Sequence, residues 1–300
     1  TIFGGVLMLQ VIENDFLKIS SSIHGGELHS IQSKKTNTEY LWNGNPDFWK
    51  YHAPILFPIV GKVKDGKYKV DGKTYELPQH GLARVKDFSI KNSEGNKITY
   101  ELIYSEDTLK VYPYKFSLCI SYELIDNNLK VSYKVTNLDN KTIYFSIGAH
   151  PGFMCPLKDN ETLNDYYFEF NKKETAELMT LDMNVGLISH NTIPYLNDEN
   201  IIPLHKELFK NDALIFKNLD SNLISIKSKN HNQVLSMDFT GFPYMGLWAM
   251  PTGCPFVCIE PWFGHADFVD FDGELKDKAG IQSLEIGKEF NCSYSIIVTE

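Results

Sequence analysis

The sequence predicts an all-β fold, an antiparallel sandwich, on three observations. Apolar and polar residues alternate with period two over long runs, two-residue turn signals separate the runs, and helical periodicity is nearly absent. The clearest run puts Leu129, Val131, Tyr133 and Val135 on one face and Lys130, Ser132, Lys134 and Thr136 on the other, a strand half-buried against a core. Phe290, Cys292, Tyr294, Ile296 and Val298 repeat the pattern, interleaved with Asn291, Ser293 and Ser295. Asn43-Gly44, Asp65-Gly66, Asp71-Gly72, Gly95-Asn96 and Asp272-Gly273 tolerate the positive φ of tight hairpins, so many short antiparallel strands are expected. Only Leu204–Phe209 offers a helical turn, which favours a sandwich over an α/β arrangement.

No Pro/Gly/Ser linker, low-complexity tract or fixed-period repeat divides the 300 residues, and all-β sandwiches reach this length as one unit. One domain over residues 8–300 is expected. Met8 followed by Leu9-Gln10-Val11-Ile12 reads as a natural start, which makes residues 1–7 an extraneous extension.

Hydrophobic residues make up 43% and charged residues 22%, the balance of a globular chain with a substantial core. A net charge of −9 and a pI near 5.5 repel nucleic acid and anionic membrane surfaces. With no apolar run long enough for a spanning helix and no leader-like N-terminus, a cytoplasmic protein with neither kind of partner is expected. The five cysteines, an odd number, read as reduced thiols; Cys119 and Cys292 fall on strand faces as small hydrophobes. Cys254 and Cys258 lack a nearby Cys or His pair with zinc spacing, and no metal is expected.

Phosphate loops, His-Glu-x-x-His and Gly-x-Ser-x-Gly are all absent, which removes the strongest support for nucleotide, zincin and serine-hydrolase chemistry. Three segments instead set polar residues in apolar or glycine-rich company. Gln79-His80-Gly81-Leu82-Ala83-Arg84 precedes an expected strand at Val85–Ile90; alone, its histidine reads as a surface residue. His150, in Ile147-Gly148-Ala149-His150-Pro151-Gly152-Phe153, ends a strand beginning near Tyr144, and a satisfied core histidine is the competing reading. Glu260 closes the apolar run Phe256-Val257-Cys258-Ile259 ahead of Pro261 and Trp262. Burial there would raise its pKa and make it a base near neutral pH, whereas a strand ended by Pro261 would leave it in water. Trp42, Phe48, Trp49, Tyr244, Trp248, Trp262 and Phe263 surround these segments; such faces stack on sugar rings, although most aromatics are core.

With Glu39-Tyr40-Leu41-Trp42 and Ala53-Pro54-Ile55-Leu56-Phe57-Pro58-Ile59-Val60-Gly61, these segments make five ordered motifs that resemble the aldose 1-epimerase (galactose mutarotase) family, in its LacX-like branch, from Met8 onward. The resemblance implies a β-supersandwich of large antiparallel sheets with a cleft on a concave face. It implies Glu260 as catalytic base, His150 as catalytic acid and His80 as a second active-site histidine, with Asp212 and Trp262 on the sugar. Galactose-specific members carry an arginine in the segment matching Gly61-Lys62-Val63-Lys64; Arg84 is the candidate substitute. The implied reaction interconverts α and β anomers of a hexose or hexose phosphate by ring opening, without a cofactor, in a monomer or homodimer. Unperturbed values of about 4.3 for the base and 6.5 for the acid give a bell-shaped pH profile between them, with burial lifting the carboxylate limb. The competing functions are a non-catalytic carbohydrate-binding protein and an inverting glycosidase using Glu260 and Asp212.

Overall fold

The computed structural model describes residues 8–300; the extension proposed for residues 1–7 lies outside them. Nearly all regular structure is β. Fifteen strands form one hydrogen-bonded sheet, which starts Ile55–Leu56, Ile147–Ala149, Phe256–Phe263, Tyr244–Trp248, Leu214–Lys217, Tyr166–Asp182 and then continues through Leu223–Ser228, Val234–Asp238, Glu289–Thr299, Asn128–Asn137, Phe116–Ile125, Lys97–Ile103 and Ser89–Glu94. Gly152–Met154 adds to Phe256–Phe263, and Leu187–Pro203 to Tyr166–Asp182. Three smaller sheets flank it, and the strands pair antiparallel throughout the described residues.

The two ends of this sheet face one another. Phe57, beside the first strand, packs on Phe116 near the other end with ring centroids 5.0 Å apart, and Phe263 packs on Phe290 at 5.1 Å. The sheet therefore folds over itself into packed layers, with an apolar side buried along most strands and the end strand Ser89–Glu94 exposed throughout. Asn128–Asn137 alternates as expected, with Leu129, Val131, Tyr133 and Val135 buried. Its neighbour is the other predicted strand, with Leu129 opposite Ile296 and Val131 opposite Tyr294. All five cysteines are free thiols.

Two of the five turn signals, Asp71-Gly72 and Gly95-Asn96, join hairpin strands; Asp65-Gly66 falls in a short 3-10 segment, Lys64–Gly66, and the other two lie in loops. Leu204–Phe209 makes turns but no helix, and Val85 ends a short 3-10 segment, so that strand begins at Ser89. The one α-helix among the described residues, Glu106–Val111, was not signalled by hydrophobic period. A capping box starts it, in which the Ser105 hydroxyl accepts from Thr108 N–H and the Thr108 hydroxyl accepts from Ser105 N–H.

Candidate active site

Strand register brings His150 and Glu260 together. Gly148 pairs with Trp262 and Gly152 with Cys258, so the His150-Pro151 step between these short strands falls opposite Glu260. The strand does not stop at Pro261: it runs to Phe263, and Glu260 is 2% exposed. His150 Nε2 lies 3.3 Å from Glu260 Oε2, and His150 is 8% exposed. The water-facing carboxylate expected if Pro261 ended the strand is therefore not found.

His80 adjoins the pair at His150, its ring edge-on to that of His150 at 5.5 Å. Its backbone is left-handed (φ 67°), and Nδ1 accepts the Gly61 N–H at 3.1 Å. That bond puts the ring hydrogen on Nε2, which lies 3.3 Å from the Gln79 side-chain amide. The adjoining Gly81 (φ 75°) bridges to Phe57, where a Cβ would stand 2.4 Å from the Phe57 carbonyl oxygen.

A cavity of about 370 Å³ is lined by all six sequence candidates, Glu260, His150, His80, Asp212, Arg84 and Trp262. Asp212 has φ 71°, and its Oδ1 accepts the Ala213 N–H at 2.7 Å. Arg84 stacks on Tyr51, 4.9 Å from the ring centroid, and donates to the Gln79 carbonyl at 2.7 Å. Lys62 lines the cavity, whereas Lys64 does not. Of the aromatics, Trp49, Trp248 and Trp262 line the cavity; Trp42 lies behind it, stacked on Phe256 at 4.6 Å, and Phe263 faces the core.

The sequence reading missed His265 and the hairpin residues Leu181, Gly186 and Ile188, which also line the cavity. Their only signal is spatial. Asp267 N–H donates to the Lys62 carbonyl and its own carbonyl accepts from Ile188 N–H, tying three distant segments at the rim.

Trp262 lies across two glycines. A Cβ on Gly148 would fall 2.5 Å from its Cδ1, and one on Gly246 2.5 Å from its Cη2 and Cζ2. The absent side chains leave the indole its place. Gly246→Ala is expected to lower stability by about 1–3 kcal/mol through overpacking and to weaken sugar binding as the ring tilts. Denaturant titration beside ligand titration reads both; an alanine variant matching the parent in both would show that the indole is not held there.

Burial dominates the electrostatics. It pushes the Glu260 carboxyl well above the usual carboxylate range, the charge of Asp212 adds to this, and the Trp262 indole N–H pulls weakly the other way. That indole N–H makes no hydrogen bond within the protein, and neither does His150 Nδ1. Burial likewise draws His150 down to about 3, opposed by its own backbone and reinforced by Arg84, and His80 falls well below its ordinary value. Both shifts favour the uncharged forms of the two groups in the sugar-free site, against the charge separation that unperturbed values would give. Donor atoms of His150, Glu260 and Cys258 lie within 4.8 Å of one another, so Cys258 has metal-ligand partners in space that it lacks along the chain. Burial pushes the Cys258 thiol well above its ordinary value, which opposes metal binding.

Residues 8–279 match the aldose 1-epimerase family. The chain belongs to that family. Protein LacX (chromosomal) of Lactococcus lactis subsp. lactis is 31% identical over 280 residues, covering 91% of this chain and 93% of the relative. A galactose mutarotase related enzyme from Lactobacillus acidophilus superposes with a TM-score of 0.93 at 37% identity, covering 98% of each chain. A galactose mutarotase-like protein from Lactobacillus casei ATCC 334 superposes at 0.91 with 30% identity, covering 97% of this chain and all of that one. The fold of this aldose 1-epimerase family member is therefore galactose mutarotase-like, as its motifs implied, and no helix among its described residues is long and apolar enough to cross a membrane.

Proposed function

We propose that this chain is an aldose 1-epimerase that interconverts the α and β anomers of a hexose or hexose phosphate with its own acid and base as the only catalysts. The carrying observation is the His150–Glu260 pair, 3.3 Å apart in a cavity of sugar size. Glu260 takes the proton from the C1 hydroxyl while His150 protonates the ring oxygen; the ring opens, the C1–C2 bond rotates, and the steps reverse on the other face. His80 holds a sugar oxygen, Asp212 and Arg84 bind hydroxyls or a phosphate, and Trp262 backs the ring. A binding cleft has no use for a proton-transfer pair, and an inverting glycosidase would use Glu260 and Asp212, its two carboxyls about 6.5–9.5 Å apart, with no role for His150 as the acid. The net charge of −9 suits a cytoplasmic enzyme, monomer or homodimer, acting on small sugars.

The catalytic form, ionised Glu260 with charged His150, carries the same single proton as the neutral pair. Sugar binding need only move that proton across 3.3 Å, and pH profiles report the pair as a unit. A second proton must charge the buried His150, at about 3. Loss of the only proton must ionise Glu260 beside Asp212, which burial delays to well above the usual carboxylate range. After correction for the spontaneous rate, kcat/KM should therefore hold level across both reference values, about 4.3 and 6.5, falling only outside them. A maximum confined between those values would contradict the one-proton pair.

Polarimetry of freshly dissolved anomers, across a panel of free and 6-phosphorylated aldoses, tests the function and names the sugar. Rates at the spontaneous level for every sugar bound would favour the binding protein instead.

A further inference from the structure

A second cluster lies outside this cavity. Glu27 is 6% exposed; its Oε1 accepts the His52 and Ala53 N–H groups at 2.8 and 3.0 Å. Its Oε2 is left facing His29 Nε2 at 3.8 Å, too far for a hydrogen bond. The His29 and His52 rings sit 4.1 Å apart, and one donor atom from each of the three residues lies within 4.8 Å of the others. Two ligands held tetrahedrally at about 2.1 Å from a zinc ion stand about 3.4 Å apart, and His29 Nε2 and Glu27 Oε2 are 3.8 Å apart. His52 supplies the decisive detail: its Nδ1 is buried and has no hydrogen-bond partner. Buried and unpartnered, that nitrogen is free to turn a lone pair toward a metal.

We propose that Glu27, His29 and His52 form a binding site for a divalent transition-metal cation of the zinc class. Two histidines and one carboxylate are a borderline-soft donor set, with the fourth position left to water. Ser22 Oγ lies 3.1 Å from His29 Nε2 and gives its own hydrogen to the His24 carbonyl. In the metal-free ring Nε2 therefore donates to Ser22, and cation binding displaces that hydrogen. A bound ion would join Glu27, between the first strands and the core, to the segment 43–53. That segment carries Trp49, which packs on His150 at 4.8 Å, so the site would brace one wall of the sugar cavity from behind.

The test uses the full chain, stripped with a chelator and titrated with zinc chloride by calorimetry. One equivalent should bind saturably and raise the melting temperature, and the chelator should reverse both effects. His29→Gln and His52→Gln should each weaken binding by about 100-fold or more, the upper end of what even outer-shell losses cost a metal site. Glu260→Gln should leave it unchanged, which separates this cluster from the His150, Cys258 and Glu260 donors. Cobalt(II) substitution reads the ligands without any variant: a nitrogen and oxygen set gives d–d bands with no thiolate charge-transfer band. Absence of saturable binding, a thiolate band, or binding abolished by Glu260→Gln and retained by both histidine variants would each overturn the proposal.

Discussion

Glu260→Gln is expected to lower catalysed mutarotation by about 10²-fold or more, at least about 2.7 kcal/mol of transition-state stabilisation, with sugar affinity nearly unchanged. The amide matches the carboxyl in size and reach but cannot take the C1 proton. It should not unfold the protein. The folded-state pKa of Glu260 lies above its unfolded value, so the parent loses stability as pH rises past about 4.3, where the unfolded carboxyl ionises freely. Glutamine removes that penalty, and the melting temperature at neutral pH should equal or exceed the parent's. Asp212→Asn should instead weaken binding along with rate, because its role is to hold hydroxyls. Calorimetry beside polarimetry on both variants makes the contrast; equal losses of affinity in the two would deny Glu260 a role confined to the chemical step.

Lys278→Met is expected to be the most destabilising of these changes, by about 3–5 kcal/mol. Lys278 and Asp267 form an ion pair with both side chains 2% exposed. Burial lowers the pKa of the ammonium, and Asp267 opposes that shift. Methionine keeps the stem's volume but strands a buried carboxylate whose remaining partner is the Lys64 N–H at 2.8 Å. Asp267 also ties the Lys62 carbonyl to Ile188 through its backbone, so the loss acts on the cavity rim. At about 2–4 °C per kcal/mol the melting temperature should fall by on the order of 10 °C. Adding Asp267→Leu should restore much of it by removing the orphaned charge. A single variant within about 1 kcal/mol of the parent would mean that water or a proton reaches Asp267.

Half-buried strands were the most legible part of the sequence, because one solvated face forces the period-two pattern seen from Leu129 to Thr136. Strands covered on both faces, such as Phe256–Phe263, lose that alternation. Pro261 reads as a terminus there, yet the strand passes through it where its neighbour is interrupted between Gly148 and Gly152, so no continuous ladder is broken on that side. Local sequence singled out His80, His150 and Glu260, but their meeting depends on a register that no short window contains. Gly148 and Gly246 are informative only once Trp262 is known to lie across them. His265, Leu181, Gly186 and Ile188 reach the cavity through the Asp267 backbone ties, which leave no local pattern.

Exchange between the two anomeric proton signals of an equilibrated aldose, followed by NMR at substoichiometric protein, tests the assignment of the His150–Glu260 pair most directly. With the parent chain, exchange on at least one sugar should exceed the spontaneous rate in proportion to protein concentration, and the Glu260→Gln chain should return it to within about one part in 10² of the parent's enhancement. Parent-level exchange from the Glu260→Gln chain, or spontaneous exchange from a parent that binds the same sugar, would contradict it.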